Sequence, residues 1–537
     1  MARLIVLVSG NVGVGKSTLV QALELRFGTR TLKTREVMQE LASKKGREVA
    51  SERAALQLFG EKLDRDTKGA WVLNALKHVV LDTAEDAIVV VDAVRILDQI
   101  KQIRRAYGFQ VKHVHLTAPK HVLESRYAHR TKKNVKELRS YSQVENNPTE
   151  AKVAELEVSA DIVIDTSLCT PEDVFTRACS HLGLYPRDYH RLVDVIVGGQ
   201  WGSEGKGHIV SYLSPKYSFL VRVGGPNAGH KVFLGSTPYT HHQLPSGTLR
   251  SQAKLIIAPG SVLNAEALLT EIAECKVDNQ RLSIDPQAMI IAPTDIARER
   301  RLVANIGSTG QGVGYATARR ITGRGSGVRL ARDVKELKPF IKDTWEILEK
   351  AYQSGKKVLI EGTQGSGLSL YHGSYPHVTS RDTSVSGALS EAGVPPSRIR
   401  KVIITCRAYP IRVQSPQGKT SGEMGIEIDW KTVSKRSNLS LEQLKTTERT
   451  STTNRDRRVA EFNWSMLHRA AALNGPTDIA LTFADYIASK NEKAHRFEQL
   501  TSETITFIEE IERVAAAPVS MISTRFDFRS IIDRRAW

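Results

Sequence analysis

The run Leu4-Ile-Val-Leu-Val-Ser9 passes without a break into Gly10-Asn-Val-Gly13-Val-Gly15-Lys16-Ser17-Thr18, and then into a helical spacing of Leu19, Ala22, Leu23 and Phe27. An apolar run feeding a G-x-x-x-x-G-K-S loop and a helix demands a buried strand whose carboxyl end opens into a phosphate-binding loop. Gly10, Gly13 and Gly15 let successive backbone N–H groups converge on a phosphate. The helix dipole favours the anion, and Lys16 adds a point charge. Ser17 is the expected Mg2+ ligand, with Thr18 beside it at the nucleotide.

Further strand patterns follow. The run 87–91 ends at Asp92, which reads either as a metal-linked carboxylate or as a helix cap, and Arg95 comes just after it. The run 113–116 precedes a helix with Arg126 and Arg130 on one face, either a phosphate clamp or a solvated basic surface. The run 160–165 closes the set. Strands alternating with helices predict an α/β fold with a parallel sheet. The order of these pieces resembles the nucleoside-monophosphate and deoxynucleotide kinases over about residues 1–180. The segment from Lys33-Thr-Arg35 to about Leu81 leaves the phosphate acceptor open.

A chain of 537 residues is long enough for roughly two to four domains. The turn-rich segment Leu182–Asp188 sets the expected boundary: a P-loop domain over 1–187 and a second domain over 188–537. Four scattered cysteines without a C-x-x-C pair indicate neither a zinc knuckle nor a disulfide scaffold. No apolar stretch is long enough to span a membrane, so the cytoplasm is the expected compartment. The formal charge of +18 suits a nucleic-acid binder, an enzyme of polyanionic nucleotides, or solvated basic faces. The basic residues are not interleaved with clustered aromatics, so nucleic acid is not a required partner.

The apolar run Val193–Val197 opens into a second glycine loop, GGQWGSEGKG at 198–207, which lacks the spacing of the first. After it come GGPNAGHKV (224–232), STGQGVG (308–314), EGTQGSGL (361–368), YPHVTSRDT (375–383), TTNRDRR (452–458) and ISTRFD (522–527). In this order the motifs make residues 192–537 resemble adenylosuccinate synthetase, which implies a larger α/β domain and a homodimer. The resemblance implies that a purine nucleoside monophosphate is phosphorylated on its 6-oxygen by a nucleoside triphosphate, and that L-aspartate then displaces the phosphate. Gln364 is expected to steady the 6-oxygen, and His230 to act as general acid. Lys206 and the backbone of Glu204, Gly205 and Gly207 are expected to grip the donor phosphates. The resemblance places Asn227, Thr309 and Thr379 at the monophosphate, together with Arg319 or Arg320 from across a dimer interface. It places Thr453, Arg455 and Arg457 at L-aspartate, Gly229 at Mg2+, and Asp485 at the donor base.

Two departures bear on the substrates. Ser203 stands where the family carries a catalytic aspartate, and a hydroxyl cannot readily remove a purine N1 proton. Synthetases of the 2-aminoadenine pathway carry serine there and use dGMP. The small side chain makes room for a 2-amino group, and Glu204 is then expected to take over part of the base or metal role. Phe483 in L-T-F-A-D replaces the family's lysine, which admits ATP or dATP beside GTP. The leading expectation is a (d)GMP-using ligase fused to a nucleotide-kinase-like module. The competing expectations are a conventional IMP-using synthetase and a catalytically weak nucleotide sensor or nucleic-acid-associated regulator.

Overall fold

The computed structural model describes residues 2–44, 53–84, 86–131, 141, 152–185, 190–235, 237–325, 327–414, 421–449, 455–527 and 530–535. The chain forms two compact units, Met1–Arg187 and Asp188–Trp537. Among the described residues no helix is long and apolar enough to cross a membrane.

In the first unit, β1 (Leu4–Gly10), β2 (Arg30–Lys33), β3 (Ile88–Asp92), β4 (Val111–Thr117) and β5 (Ile162–Asp165) form one parallel sheet in the order β2-β3-β1-β4-β5. The period-two alternation of a strand explains how β1 is buried on both faces. Val6 and Val8 pack with Leu19 and Leu23 of α1 (Lys16–Phe27) and with Phe175. Ile5 and Leu7 pack on the other side against Trp71, Leu76, Ile100 and Ile103. The phosphate loop therefore leaves the middle strand at its carboxyl end. Gly10 is required there, since a Cβ on it would sit 2.2 Å from the Leu116 carbonyl oxygen.

The second unit contains β6 (Val193–Gly198), β7 (Phe219–Arg222), β8 (His230–Leu234), β9 (Thr237–His241), β10 (Lys254–Ile257), β11 (Val262–Leu263), β12 (Leu282–Ile284) and β13 (Met289–Ile290). It continues with β14 (Val358–Gly365), β15 (Ile399–Arg407), β16 (Ile411–Val413), β17 (Glu427–Ile428), β18 (Arg457–Ala460), β19 (Asp478–Thr482), β20 (Val519–Ser523) and β21 (Ile531–Asp533). Nine of these make the central sheet, in the order β12-β10-β7-β14-β6-β15-β19-β20-β21, parallel except for the last pair. Strands β16, β18 and β17 form a small antiparallel sheet, and β8 pairs with β9.

Strand β6 is buried along its whole length. Val193, Val195 and Val197 face one core with Leu467, Ile508 and Ile511, and Ile196 faces the other with Ile209, Leu213 and Leu268. Asp194 is the exception on this strand. Its carboxylate accepts two bonds from Arg400, at 2.9 and 2.5 Å, and one from the Tyr217 hydroxyl at 2.5 Å. Removing one partner of a buried ion pair costs about 3–5 kcal/mol, because the other charge loses its counter-ion. Asp194→Ala is therefore expected to lower the unfolding free energy by an amount of that order, seen as a fall in the urea midpoint of tryptophan-monitored unfolding; an unchanged midpoint would contradict this account of the strand.

Candidate functional site

The first phosphate loop ends in Gly15, whose left-handed backbone caps α1 without any side-chain hydrogen bond, so the helix N–H groups stay available to an anion. Lys16 folds back on the loop, donating to the Gly10 and Asn11 carbonyls at 2.5 and 2.9 Å. Ser17 and Thr18 are exposed beside it. Asp92 is the last residue of β3, and the next helix is capped by Ile96, so Asp92 is not a helix cap. Burial raises its carboxyl pKa, while Lys16, Arg95 and Lys33 oppose the shift. Arg126 bonds the Thr166 hydroxyl and carbonyl at 2.9 and 2.8 Å, which ties its helix to the turn after β5. The Arg130 side chain lies outside the described residues.

In the second unit the carboxyl ends of the parallel strands meet around a cavity of about 850 Å³, within the range of small-molecule sites. Its wall brings together Ser203, Glu204, Gly205, Lys206, Gly207, Asn227, Gly229, His230, Thr309, Gln364, Thr379, Arg455, Arg457 and Asp485. Thr453 lies outside the described residues. Arg319 and Arg320 do not line the cavity. Arg319 grips Asp295 at 2.6 and 3.1 Å and also bonds the Ile290 and Gly327 carbonyls, while Arg320 bonds the carbonyls of Pro259 and Gln287.

The second glycine loop also ends in a left-handed glycine, Gly205, ahead of the helix Lys206–Leu213, again without a side-chain cap. A Cβ on Gly207 would stand 2.7 Å from that of His230, so glycine brings the helix start against the imidazole. Glu204 is fully buried. One of its oxygens accepts from the Gln200 and Gly202 amides at 3.1 and 2.8 Å, and the other from Lys206 Nζ at 2.6 Å. Burial alone would raise its pKa, but Lys206 and the amides pull it below the ordinary value. In this arrangement the Glu204 carboxylate fixes the loop and neutralises Lys206. Ser203 has φ 55°, and its hydroxyl meets Arg457 Nη2 at 3.4 Å. Gln364 has φ 59°, and its Oε1 is buried without a partner among the described residues. Both residues sit in a backbone region that non-glycine residues adopt at a cost and that clusters at ligand sites.

Behind His230 lies a buried polar cluster. Its Nδ1 is in short contact with Glu361, which also accepts from Arg222 at 2.7 Å and from the Ser246 amide at 2.8 Å. Arg222 also approaches Nδ1 at 2.7 Å. A guanidinium cannot donate to a nitrogen that carries a proton, so we assign the Nδ1 proton to the Glu361 bond and Arg222 to the carboxylate. Nε2 is then the free acceptor. Burial, with Arg222 adding to it, lowers the imidazole to about 4 despite Glu361. Glu361 itself is held far below the usual carboxylate range by Arg222 and His230, against the effect of burial.

A second buried carboxylate, Glu448, joins the arginine loop to the rest of the site. It accepts from Arg407 at 2.7 Å, Arg457 at 2.9 Å and the Tyr486 hydroxyl at 2.8 Å. These cations hold it down to about 2, against burial. Arg407 lies 4.1 Å above the Phe483 ring, and that ring stacks on Phe526 at 5.9 Å. Glu361, Arg222, Glu448, Arg407 and Phe526 were not singled out from the sequence. Many of their partners lie tens to hundreds of positions away, and only Glu361 and Phe526 fall inside a quoted motif.

Next to this aromatic wall, burial and Glu492 push Asp485 up to about 8, and its Oδ1 has no partner among the described residues. The stability contributed by a raised carboxyl pKa is fully present below the unfolded value and is lost as pH rises through the folded one. Asp485→Asn is therefore expected to flatten the loss of stability between pH 4 and about pH 8, with a gain of at least about 1 kcal/mol over the parent at the upper end. Urea midpoints at one-unit pH intervals measure this; parallel curves for the two proteins would refute it.

Comparison with known proteins fits this geometry. Residues 195–332 and 328–492 match the family described as adenylosuccinate synthetase, and residues 6–152 match the AAA domain. The adenylosuccinate synthetase of Thermococcus onnurineus (strain NA1) is 37% identical over 349 residues, which is 64% of this chain and 98% of that protein. The one from Methanocaldococcus jannaschii is also 37% identical over 349 residues, with 96% of its length covered. Among solved structures, the fully ligated adenylosuccinate synthetase of Plasmodium falciparum has a TM-score of 0.56 at 22% identity, over 64% of this chain and all of that one. The succinoaminodeoxyadenylate synthetase of cyanophage S-2L, bound to dGMP and to dATP as an energy donor, has a TM-score of 0.54 at 26% identity, over 65% and 96%. The chain therefore belongs to the adenylosuccinate synthetase family of ligases and carries, ahead of that part, a P-loop kinase-like unit.

Proposed function

We propose that residues 188–537 join L-aspartate to C6 of a 2-amino-6-oxopurine monophosphate, (d)GMP, giving succino-2-amino-(d)AMP, and that ATP or dATP serves as the phosphoryl donor. The observation that carries this reading is the chemistry of the loop at 203–204. Ser203 offers a small hydroxyl to the cavity, and the only carboxylate of the loop, Glu204, is consumed by Lys206 and two backbone amides. A hydroxyl leaves room for a purine 2-amino group and can accept from it, whereas a carboxylate at that position would crowd it. The cyanophage relative, solved with dGMP and dATP, points the same way.

In this reading Gln364 bonds the 6-oxygen as charge builds on it. His230, its Nδ1–H held by Glu361, takes up a proton at Nε2 as the phosphate anions bind and donates from there to the transferring phosphoryl group, while Lys206 and the helix start at Gly205 and Gly207 hold the donor phosphates. Asn227, Thr309 and Thr379 take the monophosphate, and Arg455 and Arg457, with Thr453, take the L-aspartate carboxylates. The aromatic wall of Phe483 and Phe526 beside Asp485 receives the donor base, and without the family's lysine it favours adenine over guanine. Among the described residues no cluster of three acidic, histidine or cysteine side chains is arranged for a metal. That fits a Mg2+ ion that takes most of its ligands from nucleotide phosphates, with Gly229 here and with Ser17 and Asp92 in the first unit. When bound, it neutralises phosphate charge. The first unit we read as a nucleotide kinase, and the whole protein as a homodimer in the cytoplasm.

The test is mass spectrometry of purified protein with Mg2+, L-aspartate and ATP, dATP or GTP, against dGMP, GMP and IMP in turn. Succinylated product is expected from dGMP or GMP. Ser203→Asp is expected to reduce that product by about 10²-fold or more and to raise product from IMP. Product from IMP alone would establish the conventional synthetase instead, and no product from any combination would favour a nucleotide sensor.

A further inference from the structure

We infer that Arg381 is a positioning residue for the reaction, holding the Gln364 amide at the purine 6-oxygen through Thr363; this rests on the reading of the cavity given above. Arg381, Thr363 and Glu391 do not line the cavity, so they act on the substrates only through other residues. The register of β14 against β6 shifts between Glu361 and Gly365, and its pairing with β7 ends at Glu361. Residues 362–364 therefore leave both ladders just where the backbone of Gln364 turns to φ 59°. A strained backbone persists only where its surroundings over-determine it. The segment 381–383 supplies that constraint. Arg381 Nη1 donates to the Thr363 hydroxyl oxygen, and the Thr383 hydroxyl donates to the Gly365 carbonyl at 2.8 Å. The residues on either side of Gln364 are thus held by one short stretch of chain.

The guanidinium is itself fixed. Its Nε donates to Glu391 Oε1 at 2.6 Å, and the other oxygen of that carboxylate accepts from the Gly224 amide at 3.0 Å. Glu391 lies on the helix Val385–Ala392. Gly224, at φ 91°, packs against the contact between Arg381 and Thr363, since a Cβ on it would collide with both Thr363 Oγ1 and Arg381 Nη1. Gly224 also opens the loop that carries Asn227 and His230. One guanidinium therefore sets the Gln364 amide against the loop that brings the imidazole to the phosphoryl group, and catalysis depends on such spacing. Stability does not account for the arrangement. The Arg381 side chain is 9% exposed, and its Nη2 is buried without a hydrogen-bond partner among the described residues. A buried ion pair with an unused donor adds little over an apolar replacement, so what it contributes is geometry.

Two measurements on the full-length protein test the inference. One is kcat for succinylated product from the monophosphate that the parent accepts. The other is isothermal titration with that monophosphate and with its analogue lacking the 6-oxygen, the 2-aminopurine nucleotide for (d)GMP or the purine nucleotide for IMP. The parent is expected to bind the 6-oxopurine about 5-fold or more tightly than the analogue, as one hydrogen bond would give. Arg381→Met is expected to lower kcat by about 10- to 100-fold and to bring that affinity ratio to about 1. A purely structural arginine would weaken both ligands alike and leave the ratio at the parent value. Thr363→Val removes only the hydroxyl; it is expected to change both readouts in the same direction, and it decides the matter if Arg381→Met does not fold. A kcat within about 3-fold of the parent, or an unchanged ratio, overturns the inference. A parent that binds both ligands alike overturns the role of Gln364 and this inference with it, whereas a parent that forms no product from any monophosphate overturns the reading of the cavity itself.

Discussion

Burial of β6 on both faces is the constraint from which the second unit's chemistry follows. A strand with apolar cores on either side has no free face, so polar function is confined to where the strand ends. The neighbouring parallel strands end at the same edge. Glycine loop, amide, guanidinium and aromatic wall, which lie far apart along the chain, are gathered there by the sheet rather than by any local motif. The first unit repeats this arrangement on a smaller scale around β1.

Charge at that edge is governed by carboxylates that never reach solvent. Glu204, Glu361 and Glu448 are each at most 3% exposed, and each holds at least one cation of the site. Lys206, Arg222, Arg407 and Arg457 are thus positioned before any ligand arrives, which lowers the reorganisation needed on binding. The arrangement also makes the cations interdependent. Glu448 ties Arg407, Arg457 and Tyr486 together, and the two arginines in turn reach Ser203, so a change at any one of them is felt at the others.

How far the site could be read from sequence followed the distance between partners. The first phosphate loop was legible because strand, glycines, lysine and helix are contiguous and obey one spacing. The parallel α/β character of both units was legible from their apolar runs, and the synthetase family from the order of its motifs. Contacts across long separations were not. Glu361 meets His230 across 131 positions, and neither residue type announces the other. That Glu204 accepts from Lys206 and from the Gln200 and Gly202 amides likewise becomes visible only once the loop folds. The bonds of Arg319 to Asp295, and of Arg319 and Arg320 to backbone carbonyls, are also seen only once the helix 313–323 packs.

Asp485 carries a consequence for recognition. A carboxylate offers acceptors only, whereas a carboxylic acid offers a donor and an acceptor side by side. By keeping its proton near neutrality, this residue gives the aromatic pocket a two-handed edge, and a single deprotonation would turn that edge into one that only accepts.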